Sequence, residues 1–138
     1  MKILGRHLIA ELSDCNRATL NDSALLEQHL KEAVRLSGAT IVRSVFHRYA
    51  PQGVSGVVVI AESHLSVHTW PEYGYAAVDF FTCGESVDPY KAYAYIKEVF
   101  EAQNAEWREI KRGLPSPSDE MLTHKPPEQS RAVSSINP

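Results

Sequence analysis

The stretch that decides the fold runs Val57-Val58-Val59-Ile60-Ala61-Glu62-Ser63-His64-Leu65-Ser66-Val67-His68-Thr69-Trp70-Pro71-Glu72-Tyr73-Gly74-Tyr75-Ala76-Ala77-Val78-Asp79-Phe80-Phe81-Thr82-Cys83-Gly84. Its first four residues are a β-branched apolar run that predicts a central, well-buried strand, entered through a turn or bulge at Gly53 and Gly56. Residues 63–70 alternate, with His64, Ser66, His68 and Trp70 on one face and Leu65, Val67 and Thr69 on the other. Pro71 stops that strand, and Tyr73-Gly74 turns the chain into another over residues 75–83, which Gly84 ends.

Upstream, residues 7–13 alternate as a first strand, Leu8, Ala10 and Leu12 opposing His7, Ile9 and Glu11. Over residues 22–37, Leu26, Leu30 and Ala33, with Leu25 and Val34 beside them, follow helical spacing between a capping Asp22 or Ser23 and Gly38. Residues 40–49 read as a further strand. Downstream, Asp88-Pro89 opens a second helix with the stripe Ala92, Ile96, Val99 and Phe100, and residues 105–112 form a short last strand. The order β-α-β-β-β-β-α-β predicts an α+β two-layer sandwich, a mostly antiparallel sheet with two helices on one face. The other face, carrying His, Trp and Tyr, must be solvated or covered by a second subunit. Residues 1–112 make one domain. Pro115, Pro117, Pro126, Pro127 and Pro138, among many serines, mark 113–138 as a disordered tail.

The totals exclude several classes. With 138 residues, 43% hydrophobic, 22% charged and a net charge of -3, the chain has the composition of an ordinary globular domain and no electrostatic footprint for nucleic acid. Any steering favours cations. No apolar run reaches membrane-spanning length, and the opening residues are too polar for a secretory signal, so no membrane partner and a cytoplasmic location are expected. Cys15 and Cys83 are too few for a disulfide framework.

Residues 62–75 concentrate hydroxyls, imidazoles, a carboxylate and aromatics. A metal site on His64 and His68 fails on a strand, where four residues separate them by about 13 Å, so no metal is expected. Cys83 activated by His68 or His64 is a second possibility, against an inert small hydrophobe at a strand end. Pyridoxal chemistry needs a lysine, and none occurs between Lys31 and Lys91. An electrophilic carbonyl has to come from elsewhere. Tyr49 and Trp70 taken singly are core aromatics, but beside His47, His68 and Pro71 they read as part of a site. His47, Glu62, Ser66 and Asp79 read as hydrogen-bonding partners of backbone or arginine.

Residues 62–84 closely resemble the short prokaryotic S-adenosylmethionine decarboxylase proenzymes. Gly5-Arg6-His7-Leu8, Ser37-Gly38-Ala39-Thr40, Phe46-His47-Arg48 and Gly53-Val54-Ser55-Gly56 extend the resemblance from the N-terminus to about residue 112. The resemblance implies that the chain cuts itself between Glu62 and Ser63 into residues 1–62 and 63–138. The Ser63 hydroxyl would attack the Glu62 carbonyl, and elimination of the resulting ester followed by hydrolysis would leave a pyruvoyl group that forms a Schiff base with the substrate. It assigns Ser55 and His68 to processing, His68 as the base, and Cys83 to protonating the decarboxylated substrate. Tyr49 and Trp70 would sandwich the adenine and Glu72 would bind the ribose hydroxyls; a tyrosine at position 49 departs from the familiar phenylalanine. No pyridoxal phosphate is implied. The expected assembly is a homodimer with active sites near its interface, and the expected pathway is spermidine synthesis. The rivals are a pyruvoyl decarboxylase of arginine or ornithine, and an unprocessed binding subunit, against which the intact Ser55, Glu62, Ser63, His68 and Cys83 argue.

Overall fold

The computed structural model describes residues 3–114. In chain order these form β1 (Gly5–Ser13), α1 (Arg17–Leu20), α2 (Ser23–Ser37), β2 (Ile41–Arg48), β3 (Val54–Ile60), β4 (Ser63–Trp70), a 3-10 turn (Pro71–Tyr73), β5 (Tyr75–Thr82), α3 (Pro89–Val99) and β6 (Asn104–Arg112). The strands build one six-stranded sheet of order β2-β3-β4-β5-β1-β6 in which every neighbouring pair is antiparallel. With the helices packed on one face, this is the α+β two-layer sandwich expected from the sequence. The proline- and serine-rich segment from residue 115 onward lies outside the described residues.

The helix boundaries follow local chemistry. Asp22 accepts a hydrogen bond from the Leu25 amide at the start of α2, and Gly38 ends it with a left-handed φ of 86°. Asp88 caps α3 by accepting from the Tyr90 amide, with Pro89 at the first helical position. Leu26, Leu30, Ala33 and Val34 of α2 and Ala92 and Ile96 of α3 are fully buried with Leu8, Leu12, Leu65, Val67 and Phe80 of the sheet. Each larger side chain there contributes roughly 1.5–3 kcal/mol by leaving water. The one-turn helix α1 was not expected; Asn16 nucleates it by accepting from the Thr19 amide.

One expectation needs correction. The strand holding Val57-Val58-Val59-Ile60 is interior but not at the centre of the sheet, and it is well buried on one face only: β3 is second from the β2 edge. Val58 and Ile60 face the helices, whereas Val59 is 40% exposed on the open face, near exposed Val45 of β2. An apolar run reports that both faces are apolar, not that this chain alone covers both. Within the same hairpin Gly56 is obligatory, since a Cβ there would stand 2.1 Å from the Phe46 ring that lies across it. Among the described residues, no helix is long and apolar enough to cross a membrane.

Candidate active site

Two groups of side chains form at opposite ends of β4. At its start, Ile60 of β3 pairs with Ser63, so Ala61 and Glu62 are the whole hairpin loop. Ser63 has φ of 138°, a conformation that costs a non-glycine residue on the order of 1–3 kcal/mol. The Glu62 main-chain carbonyl accepts a hydrogen bond of 2.9 Å from the Cys83 main-chain amide, just past the end of β5. The Glu62 carboxylate accepts from the Thr40 amide at 3.1 Å. A strained serine therefore follows a carbonyl already polarised by a fixed amide donor, the arrangement that stabilises an oxyanion. Thr82 lies directly across from Ser63 and is fully buried, and among the described residues its hydroxyl has no hydrogen-bond partner. The Cys83 side chain is half-buried here. Cys15 is buried elsewhere, its thiol pushed up to about 11 by burial and by the Asp14 charge, which keeps it protonated.

At the far end of β4, Ser55 lies opposite His68 and its Oγ is 2.9 Å from His68 Nδ1. The Tyr49 hydroxyl donates to the same Ser55 Oγ at 3.1 Å. Tyr49, Ser55, His68, Trp70 and Glu72 line one open hollow. Trp70 is 41% exposed and leans on Tyr75 with ring centroids 5.4 Å apart. Tyr49 is 47% exposed and meets the edge of His47 at 4.6 Å. Neither ring is core packing.

The structure thus joins Glu62, Ser63 and Cys83, and separately joins Tyr49, Ser55, His68, Trp70 and Glu72. It does not join the two groups within one chain. Five residues of extended strand place Ser63 and His68 about 16 Å apart.

Comparison with known proteins bears on both groups. A family profile described as S-adenosylmethionine decarboxylase matches residues 6–113. The chain belongs to the S-adenosylmethionine decarboxylase family. It is 59% identical over 113 residues to the S-adenosylmethionine decarboxylase proenzyme of Fervidobacterium nodosum, covering 82% of each chain. It is 58% identical to that of Thermotoga maritima, covering 82% of this chain and 87% of the relative. The crystal structure of the adenosylmethionine decarboxylase from Aquifex aeolicus VF5 superposes with a TM-score of 0.79 at 31% identity, over 88% of this chain and all of the other.

This family member carries a third cluster, between the two groups on the open face, that the sequence did not disclose. Asp79 Oδ2 accepts from His7 Nε2 at 2.7 Å and His64 Nε2 at 2.8 Å, and Asp79 Oδ1 accepts from the Ser66 hydroxyl. These partners are imidazoles and a hydroxyl, not the backbone or arginine expected. Burial works to raise the Asp79 pKa, but the hydrogen bonds from His64, Ser66 and His7 outweigh it and hold the carboxyl well below the usual carboxylate range. His7, His64 and Asp79 offer ligand atoms within 4.8 Å of one another, so they could be mistaken for a metal centre. Arg112 donates to His7 Nδ1 at 3.0 Å, however, and a guanidinium can only donate. His7 must then carry its proton on Nε2, the atom a metal would need bare, and the trio reads as a closed hydrogen-bond network.

Proposed function

We propose that the chain is a proenzyme that cuts itself between Glu62 and Ser63 and then, as residues 1–62 and 63–138, decarboxylates S-adenosylmethionine with a pyruvoyl group made from Ser63. The observation that carries this reading is the strained Ser63 placed after a Glu62 carbonyl that already holds an amide donor, in a chain 59% identical to a named proenzyme. Ser63 Oγ bonds to the Glu62 carbonyl carbon and the peptide C–N bond breaks, giving an ester and an amine. Removal of the Ser63 Cα proton then expels the Glu62 carboxylate and leaves dehydroalanine. One water enters, ammonia leaves and a ketone remains. The ground-state strain at Ser63 lowers what the first step must supply.

The surroundings fit such a group: Cys83 is half-buried beside the junction, and the Thr82 hydroxyl is buried with no partner among the described residues. When formed, the pyruvoyl carbonyl supplies an electron sink for the carbon that loses carbon dioxide. The chain's own residues do the rest. The Cys83 thiol delivers a proton to the substrate carbon. The exposed rings of Tyr49 and Trp70 stack on the base and suit a sulfonium cation, while the Glu72 carboxylate accepts from ribose hydroxyls. Such a stacking pair favours S-adenosylmethionine over arginine or ornithine. Spermidine synthesis in the cytoplasm is the matching role, and the two cysteines, joined by no disulfide, agree with it.

The separation along β4 gives the assembly a task. Ser55 and His68 of one copy cannot reach the Ser63 of that copy, so we take the active form to be a homodimer in which the open faces meet. The partner's Ser55 and His68 then serve as donor and base, and the partner's Tyr49, Trp70 and Glu72 hold the substrate. Co-expression of Ser63→Ala and His68→Ala chains tests this. Neither variant alone matures, yet in the mixed dimer the His68→Ala chain faces an intact partner's His68 and is expected to mature and turn over substrate. If both chains stay immature when co-expressed, the shared site is wrong.

Trp70→Ala should mature normally but bind substrate about 5- to 150-fold more weakly, the equivalent of ~1–3 kcal/mol for one stacked base. Calorimetry on the matured variant reads this directly, and unchanged affinity would reduce Trp70 to a packing partner of Tyr75.

A further inference from the structure

We infer that Asp79 is a positioning residue for the cut end of β4, clamping His64 so that the group made from the preceding residue stays fixed in the sheet. The inference rests on the cleavage reading above. Before the cut, residues 63–66 are held by the two-residue hairpin to β3 as well as by their ladders. After it, residue 63 is a chain terminus, and strand termini fray unless something ties them down. His64 is the first residue past the cut, and its imidazole donates to Asp79 Oδ2 at 2.8 Å. Ser66, two residues on and on the same face, fills the other carboxylate oxygen.

Asp79 can hold these residues because it is itself anchored away from the cut. It sits on β5, opposite Ser66 on β4 and Ile9 on β1, so the side chain reaches diagonally to His64 on one side and His7 on the other. His7 Nε2 donates to Asp79 at 2.7 Å, and Arg112 of β6 fixes the other nitrogen of His7. The Phe81 ring, directly across from His64, packs face to face with His7 at 5.0 Å and edge-on to His64 at 6.0 Å. Four adjacent strands, β4, β5, β1 and β6, are thus linked through one carboxylate to the residue beside the junction. Displacement of a reacting group by about 1 Å can cost on the order of 100-fold in rate, so tethering the residue next to the reacting carbonyl bears directly on turnover.

The test is hydrogen–deuterium exchange of the peptide spanning residues 63–67, with and without Asp79→Asn, in two backgrounds: the self-cleaved protein and the uncleavable Ser63→Ala chain. The expected result is at least about tenfold faster exchange in the cleaved variant and little change where the hairpin is intact. In the cleaved variant kcat should fall about 10- to 100-fold with KM for S-adenosylmethionine retained, because Tyr49, Trp70 and Glu72 are untouched. His64→Gln, which leaves Asp79 its Ser66 and His7 partners, should loosen the same peptide and serves if Asp79→Asn does not fold. Equal loosening in both backgrounds would make Asp79 a general stabiliser and overturn the proposal, as would unchanged exchange in the cleaved variant or an effect confined to KM. A wild-type protein of one undivided mass would instead overturn the cleavage reading beneath it.

Discussion

Replacing Ser63 with alanine is expected to give a folded, full-length chain with no decarboxylase activity, where the unaltered sequence gives two fragments. A methyl group cannot attack the Glu62 carbonyl and cannot become a ketone, so one substitution removes both the cut and the group that does the chemistry. The fold should survive, because the residues around the junction keep their main-chain bonds: the Cys83 amide still meets the Glu62 carbonyl, and residue 63 still pairs with Ile60 and Thr82. Strain at that position remains as well, so the variant also asks whether strain alone can break the bond. Intact mass spectrometry decides the matter. Fragments of residues 1–62 and 63–138 from this variant would exclude Ser63 as the nucleophile.

Cys83→Ala should separate the two chemistries that meet at the junction. The hydrogen bond to the Glu62 carbonyl comes from the main-chain amide of residue 83, which alanine retains. Cleavage should therefore continue. Turnover should not, because the thiol assigned to proton delivery is gone, and loss of a positioned general acid costs about 10² to 10⁴ in rate. Cys15 offers no substitute, being buried beside Gly74, at the other end of β4 from the junction, with its thiol pushed up by burial. Extent of cleavage by mass and carbon dioxide release from labelled substrate, measured on one preparation, give both quantities. Product formation near the normal rate by the cleaved variant would hand proton delivery to another group and leave Cys83 a packed residue at a strand end.

Much of this was legible in local sequence. Alternation along residues 63–70 correctly divided Leu65, Val67 and Thr69 from His64, Ser66, His68 and Trp70 because a period of two needs only the strand itself. Caps at Asp22 and Asp88 and the glycine stop at Gly38 set the helix ends within a residue. The run at residues 57–60 misled because its open-face valines look the same in sequence whether a second layer of this chain covers them or not. The distance from Ser63 to His68 follows from the same strand arithmetic that separates His64 from His68 as metal ligands; what no local pattern supplies is which surface of a second copy would meet that strand. The Asp79 network could not be read at all. His7 and Asp79 are 72 positions apart and meet because β1 inserts beside β5, a pairing between strands that are not consecutive. No local period reports that.

The same insertion governs what would hold the two pieces together after the proposed cut between Glu62 and Ser63. β1, β2 and β3 belong to residues 1–62, and β4, β5 and β6 to residues 63–138, yet β1 lies between β5 and β6. Separating the pieces means breaking the ladders β3–β4, β1–β5 and β1–β6 together, so the cut product is interlocked and should not dissociate on dilution. Refolding of the uncut chain is a unimolecular problem, whereas a chain cut at that position would have to find its other piece and thread a strand into the middle of a sheet. A cut there would therefore turn a unimolecular folding problem into a bimolecular one, and the persistence of the cut protein would be set by how slowly it first opens.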